Sequence, residues 1–315
     1  MKILIYYYLL NSMTFVTLLV MALIGMSFIT LLERKMLSYL QSRKGPNKVS
    51  LIGILQPFSD AIKLISKESF FLFKSNYMMF YMSPIITMTL SLTLWLMYPF
   101  FFSLMTSKLS ILLMFSLMSV STYSSLLMGW ASNSIYSMLG CVRMIAQLIS
   151  YEVSFFLIFL TFMIISESLS FWLIMNMQKF MWFIFPMFLL GIIFILSMLS
   201  ELNRTPYDFS EGESELVSGF NTEYFSTSFT MIFMAEYTMI MILSMIFSMM
   251  FLMNTVSILF IMKILLISIF IIWSRGLLPR FRYDLLMYMA WKNFLPVSLM
   301  FIIISMNMKY LINFF

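Results

Sequence analysis

Long apolar stretches broken by short polar ones run the whole length of the chain. Eight of them, at about 6–32, 77–102, 109–129, 149–165, 180–199, 225–250, 255–273 and 294–315, are of the length that crosses a bilayer. The stretches are continuous and do not alternate apolar with polar. That favours helices, which satisfy their backbone groups internally, over the strands of a barrel. The expected fold is therefore all-α: one polytopic membrane domain over 1–315 with eight transmembrane helices. Lys2 precedes the first stretch and no small-residue cleavage pattern follows it, so it is expected to be a retained helix. No internal repeat supports an inverted-repeat transporter.

The polar breaks carry the charge. After Glu33 the chain is basic as far as Lys74, with Gly45-Pro46-Asn47 as a turn signal. Pro57 suits the first turn of a helix. From Phe58 to Phe73 apolar residues mingle with Asp60, Lys63, Lys67 and Glu68, which predicts an amphipathic helix near the headgroups. Residues 130–147 are small and polar with one charge, Arg143, and read as a loop. Residues 200–223 hold six of the 13 carboxylates and one basic residue, Arg204. With eight spans both termini share a side, and the breaks at 34–74, 130–148, 200–224 and 274–292 share the other. Those breaks hold 14 of the 19 basic residues, so the positive-inside rule turns them to a bacterial cytoplasm or a mitochondrial matrix.

Composition narrows the chemistry. Mean hydropathy is +0.98, outside the range of a soluble core. One cysteine, Cys141, and no histidine leave no intrachain disulfide, no His-liganded zinc or bis-His haem, and no Cys-held iron–sulfur cluster. Proton chemistry falls to Asp, Glu, Lys, Tyr, Arg or water. The 35 Phe and 36 Met, beside only nine Gly, read as the mark of an AT-rich organellar genome and as generic packing residues. There is no Walker A sequence or G-x-G-x-x-G, and no extramembranous part large enough to bind nucleic acid.

Carboxylates at or inside apolar stretches are expensive and default to function: Glu33, Glu152, Glu201 and Glu236. The plainer account is a structural ion pair, such as Glu152 with Arg143 or Glu236 with Lys263. The first of these is nine residues apart, about 13 Å of helix rise, and needs a break in the helix. Glu211, Glu213 and Glu215 alternate within the acidic break. Like charges so close raise one another's pKa, so one or more can exchange protons near neutrality unless the segment is simply a solvated turn.

Four blocks, 33–68, 130–153, 201–224 continuing through Ala235-Glu236-Tyr237, and 277–296, carry a resemblance; RKGPN and EGESELVSGFN are its most specific parts. The chain resembles the quinone-proximal membrane subunits of respiratory complex I, NADH:ubiquinone oxidoreductase, in their mitochondrially encoded, insect-like form. That resemblance implies eight transmembrane helices plus amphipathic matrix-side loop helices, in the mitochondrial inner membrane, with both termini on the intermembrane-space side. It implies ubiquinone as substrate in a tunnel lined largely by this chain. FMN and iron–sulfur clusters would lie only in partner subunits of the membrane and peripheral arms, with phospholipids such as cardiolipin at the surface.

Carried over by position, the resemblance implies proton coupling through Glu201, Asp208, Glu211, Glu213, Glu215, Glu152, Glu236 and Asp60. It implies quinone contacts or braces at Arg34, Lys35, Arg43, Phe220 and Arg282. The family usually reads AETNRTP where this chain reads SELNRTP, so Leu202 removes a hydroxyl beside Glu201. Two other classes would use the same features. A stand-alone transporter or channel would also need buried acids, and a structural anchor would need the same loops.

Overall fold

The computed structural model describes residues 2–70, 73–98, 108–179, 181–209, 212, 219–253 and 257–314. All regular structure among them is helical: α1 (Lys2–Leu40), α2 (Gln56–Ile65), α3 (Tyr77–Leu94), α4 (Ser110–Ala131), α5 (Ile135–Ser166), α6 (Phe171–Met177), α7 (Phe188–Glu201), α8 (Ser226–Phe251), α9 (Ile258–Leu277), α10 (Tyr283–Tyr288) and α11 (Leu295–Phe314). A π-helical stretch, Met289–Phe294, joins α10 to α11 in one long rod. Seven of these helices or rods are long and apolar enough to cross a membrane. The expected fifth span is shorter than the rest, because α7 is a helix of 14 residues, about 21 Å.

Burial sorts the rods. Half or more of the most apolar window is buried in α5 (50%) and α8 (56%), against 22% in α1 and 17% in the α10–α11 rod. Two central helices are thus wrapped by others whose outer faces stay apolar and exposed, as a lipid-facing bundle requires. Phenylalanines join the middle. Phe155 of α5 stacks on Phe194 of α7 at 4.8 Å, and Phe251 of α8 meets Phe162 of α5 at 5.0 Å, edge to face. Met245, Met249 and Met250 fill the gaps and are fully buried, so the Phe and Met excess packs the core as well as facing outward.

The polar breaks gather at one end, here the loop end. Phe281 N–H donates to Pro206 O, Ser226 Oγ to Lys67 O and Asn133 Nδ2 to Lys74 O. At the opposite end Lys309 pairs with Glu167 at 2.6 Å. There Gln178 also donates to Met249 O and Met250 O, and accepts from Met253 N–H.

Five expectations need correction. Helix α1 does not stop at Glu33 but runs to Leu40, because the charged turn finds partners on the protein side. The amphipathic helix ends at Ile65, short of Phe73. Residues 135–147 are not a loop but the first three turns of α5. Ser137, Gly140, Cys141, Met144, Gln147, Leu148 and Tyr151 are buried at helical spacing, a stripe too small and polar to register as hydropathy. Because α5 is unbroken, Arg143 and Glu152 are too far apart along it to pair directly. The suggested Glu236–Lys263 pair fails as well. Lys263 Nζ donates to Leu252 O and lies 4.1 Å over the Trp182 ring, at the opposite end of the bundle. Glu236 stands sixteen residues earlier than Leu252, about 24 Å along the same helix.

Helices α4 and α5 pack tightly at Gly129, where an added Cβ would lie 2.3 Å from Cys141 Cβ. Gly129→Ala is expected to force the two helices apart at a cost of about 1–3 kcal/mol. It should lower the thermal stability of the assembled protein, measured by differential scanning fluorimetry. Cys141→Gly should restore part of the loss and Cys141→Ala should not, since the Cβ itself obstructs.

Candidate functional site

At the loop end α1, α9 and the chain after α7 meet on one carboxylate. Glu33, only 3% exposed, accepts from Arg204 Nη1 at 2.8 Å through one oxygen and pairs with Arg275 Nη1 through the other. The Arg204 guanidinium also lies 4.6 Å over the ring of Tyr237 on α8. Burial alone would push the Arg204 pKa down; the Glu33 carboxylate and Tyr237 outweigh it and hold the pKa above the ordinary arginine value. The trio carries two positive charges and one negative. A second pair follows: Arg280 Nη2 meets Asp208 Oδ2 at 3.2 Å, with Asp208 nearly buried.

Beside this cluster is a cavity of about 160 Å³, large enough for several waters. Glu201, Asp208 and Glu236 line it together with Arg204 and Arg275. Glu152, half-buried on α5, lies within electrostatic range of Glu201. The far wall is hydroxylic: Thr87 and Ser91 of α3, and Ser121, Ser124 and Ser125 of α4. Each of these hydroxyls donates its one proton to the carbonyl three residues back in its own helix. Their lone pairs are left as acceptors, so the wall suits water and protonated carboxyls as donors.

The loop root is held by buried tyrosines. Burial pushes the Tyr207 and Tyr224 hydroxyls up to about 12, so both stay protonated. Tyr224 stacks on Phe80 at 4.3 Å, and its hydroxyl donates to Met128 O.

The structure brings together Glu201, Asp208, Glu236 and Phe220 around the cavity, with Glu152 behind. Leu202, where the sequence departs from the usual pattern, also lines it and adds an apolar face next to Glu201. Asp60 stands apart, paired with Arg34 and bonded by Gln56 Nε2. Lys35 donates to Ile52 O, Arg43 is exposed, and Arg282 pairs with Asp284 on the surface. Glu211, Glu213 and Glu215 lie outside the described residues. Sequence reasoning gave no role to Arg204, Tyr237 or the hydroxyl wall, and read Arg275 only as part of a basic segment suited to anionic headgroups or partners. The wall has a legible signal, hydroxyls three or four apart within apolar helices, and Arg204 is the only base in the acidic break. Nothing local marks Arg275 or Tyr237, whose partner Glu33 is hundreds of positions away. Among the described residues no group of three or more His, Cys, Asp or Glu is placed to hold a metal.

A family model described as NADH dehydrogenase matches residues 13–306. The NADH-ubiquinone oxidoreductase chain 1 of Aedes aegypti is 49% identical over 303 residues, 96% of this chain and 97% of that protein. Its counterpart in Anopheles gambiae is 48% identical over 293 residues, 93% of each. That of Balaenoptera physalus is 42% identical over 293 residues, 90% of this chain and 92% of the whale protein.

Removing the shared anion should cost more than removing the pair. Glu33→Gln leaves Arg204 buried beside Arg275 without a carboxylate, and is expected to destabilise by about 3–5 kcal/mol. It should sharply lower the yield of assembled protein on a native gel. Glu33→Leu combined with Arg204→Met should recover much of that yield.

Proposed function

The chain belongs to the NADH dehydrogenase family of chain 1 membrane subunits, and from that premise we propose that its cavity carboxylates couple ubiquinone reduction to proton translocation. The protein is a core quinone-handling subunit in the membrane arm of respiratory complex I, in the mitochondrial inner membrane. Its own residues offer proton carriers and no redox centre. Electrons then reach the quinone from flavin and iron–sulfur groups in partner subunits, and this chain supplies the path and the charge response. In that reading α7 also crosses, as the fifth of eight spans, both termini face the intermembrane space, and the loop end faces the matrix. The exposed basic residues there suit anionic lipid headgroups such as cardiolipin.

The observation that carries the reading is the convergence of Glu201, Glu236 and Asp208 on one cavity beside a cluster of net positive charge. A reduced or anionic quinone headgroup near this end adds negative charge. At 10 Å and an effective dielectric of about 20, one charge acts on a carboxylate with roughly 1.7 kcal/mol, enough to move its pKa by about one unit. A carboxylate titrating near neutrality would change protonation under such a push, and the hydroxyl wall offers acceptors for waters able to pass a proton on. Glu211, Glu213 and Glu215 of the same acidic segment extend this set toward the matrix. The basic residues Arg34, Lys35, Arg43 and Arg282, with Phe220, are proposed to line or brace the quinone path, and Asp60 to set the charge of Arg34.

In a relative whose gene can be edited, Glu201→Gln and Glu236→Gln are each expected to lower quinone reduction per assembled complex about tenfold or more. Proton translocation in vesicles should fall with it. Oxidation of NADH by ferricyanide, which bypasses this chain, should stay at the wild-type rate. Wild-type quinone reduction and pumping in both variants, and in Glu211→Gln with Glu213→Gln, would remove the coupling role from these acids.

A further inference from the structure

One buried side chain outside the cavity ties its acids to the frame. Gln147 of α5 is fully buried, and its Nε2 donates to two carbonyls, Ser200 O at 2.8 Å and Tyr207 O at 2.9 Å. With two carbonyl oxygens in reach, only the NH₂ edge of the amide can face them, so its orientation is set by chemistry. The two acceptors stand on either side of the turn that holds Arg204, and each is followed at once by a cavity acid, Glu201 after Ser200 and Asp208 after Tyr207. One amide thus closes the 200–207 turn against α5, the helix that also carries Glu152. One turn further along α5, Tyr151 packs on Tyr207 at 5.7 Å and donates its hydroxyl to Leu286 O.

The peptide units concerned are not short of other partners. Ser200 O also accepts from Asn203 N–H, and Tyr207 O from Phe209 N–H. The amide is therefore not required merely to satisfy those carbonyls. What it adds is a fixed distance between α5 and the end of α7, and so between Glu152 and Glu201.

We propose that Gln147 is a positioning residue for the proton-coupling carboxylates, holding Glu201 in register with Glu152 by gripping the backbone on both sides of the Arg204 turn. The proposal rests on the coupling role given to Glu201 above. A positioning group does its work through geometry, and losses of an ångström or less are large in rate.

The test is a double-mutant cycle in the assembled enzyme, with Gln147→Met, which keeps length and loses both donors, and Glu201→Gln. Turnover with a soluble short-chain quinone is measured per assembled complex. Gln147→Met is expected to lower kcat by about fivefold or more with KM for the quinone unchanged. In the Glu201→Gln background it should add little, because both substitutions disable the same group. A kcat within twofold of wild type, a loss confined to the amount assembled, or losses that multiply in the double variant would overturn the proposal. If Glu201→Gln alone leaves quinone reduction and pumping intact, the coupling reading fails first; a costly Glu201→Gln beside a silent Gln147→Met fails the positioning role alone. Should Gln147→Met not assemble, Gln147→Glu, which can donate at most one bond, takes its place with the same outcomes.

Discussion

A carboxylate shared by two guanidinium groups holds the loop end together. Glu33 is buried on α1, and an ion there is tolerated only because Arg204 and Arg275 neutralise it from two other elements. The same contact explains why α1 continues as helix past its apolar run, why the chain turns back after α7, and where the last turn of α9 must sit. Tyr237 covers the Arg204 face and binds α8 into the arrangement. Four elements far apart in sequence are placed by one charge and its partners.

The cavity follows from that placement. Once Arg204 is drawn toward Glu33, Glu201 and Asp208 on either side of it are brought to the cavity, where Glu236 from α8 meets them. The opposite wall comes from α3 and α4, which set five hydroxyls among apolar side chains such as Leu94 and Met128. The result is a cavity lined by charged side chains inside a bundle whose middle is rich in phenylalanine and methionine. Low dielectric around it strengthens the interactions among the charges it holds, which is the physical basis of the coupling proposed above.

The two ends of the bundle use polar groups differently. At the opposite end Gln178, Lys263 and Lys309 direct donors to backbone carbonyls left open where helices stop, and Lys309 also pairs with Glu167. At the loop end the charged groups pair with one another and face a cavity. The first pattern secures helix ends; the second leaves groups whose charge can respond.

Much of this was written locally. Hydropathy located the apolar rods, since spanning segments must be long and continuous, and the charge bias sorted the polar breaks onto a common end. The density of acids in 200–223 marked Glu201 and Asp208, and Glu236 was legible as an ion in an apolar helix. The start of α5 was not, because a buried stripe of Ser, Gly, Cys and Gln packs by small size and hydrogen bonding rather than by greasiness. Ion-pair partners were not either. Charge along a chain says that a partner is needed but not which one, and both pairs suggested by proximity or depth, Arg143 with Glu152 and Lys263 with Glu236, gave way to geometry. Sequence alone settled what kinds of group this protein has and roughly how deep they lie. Tertiary structure alone decided which of them meet, because meeting depends on helix rotation and register that separations of 26, 72 or 242 positions leave open locally.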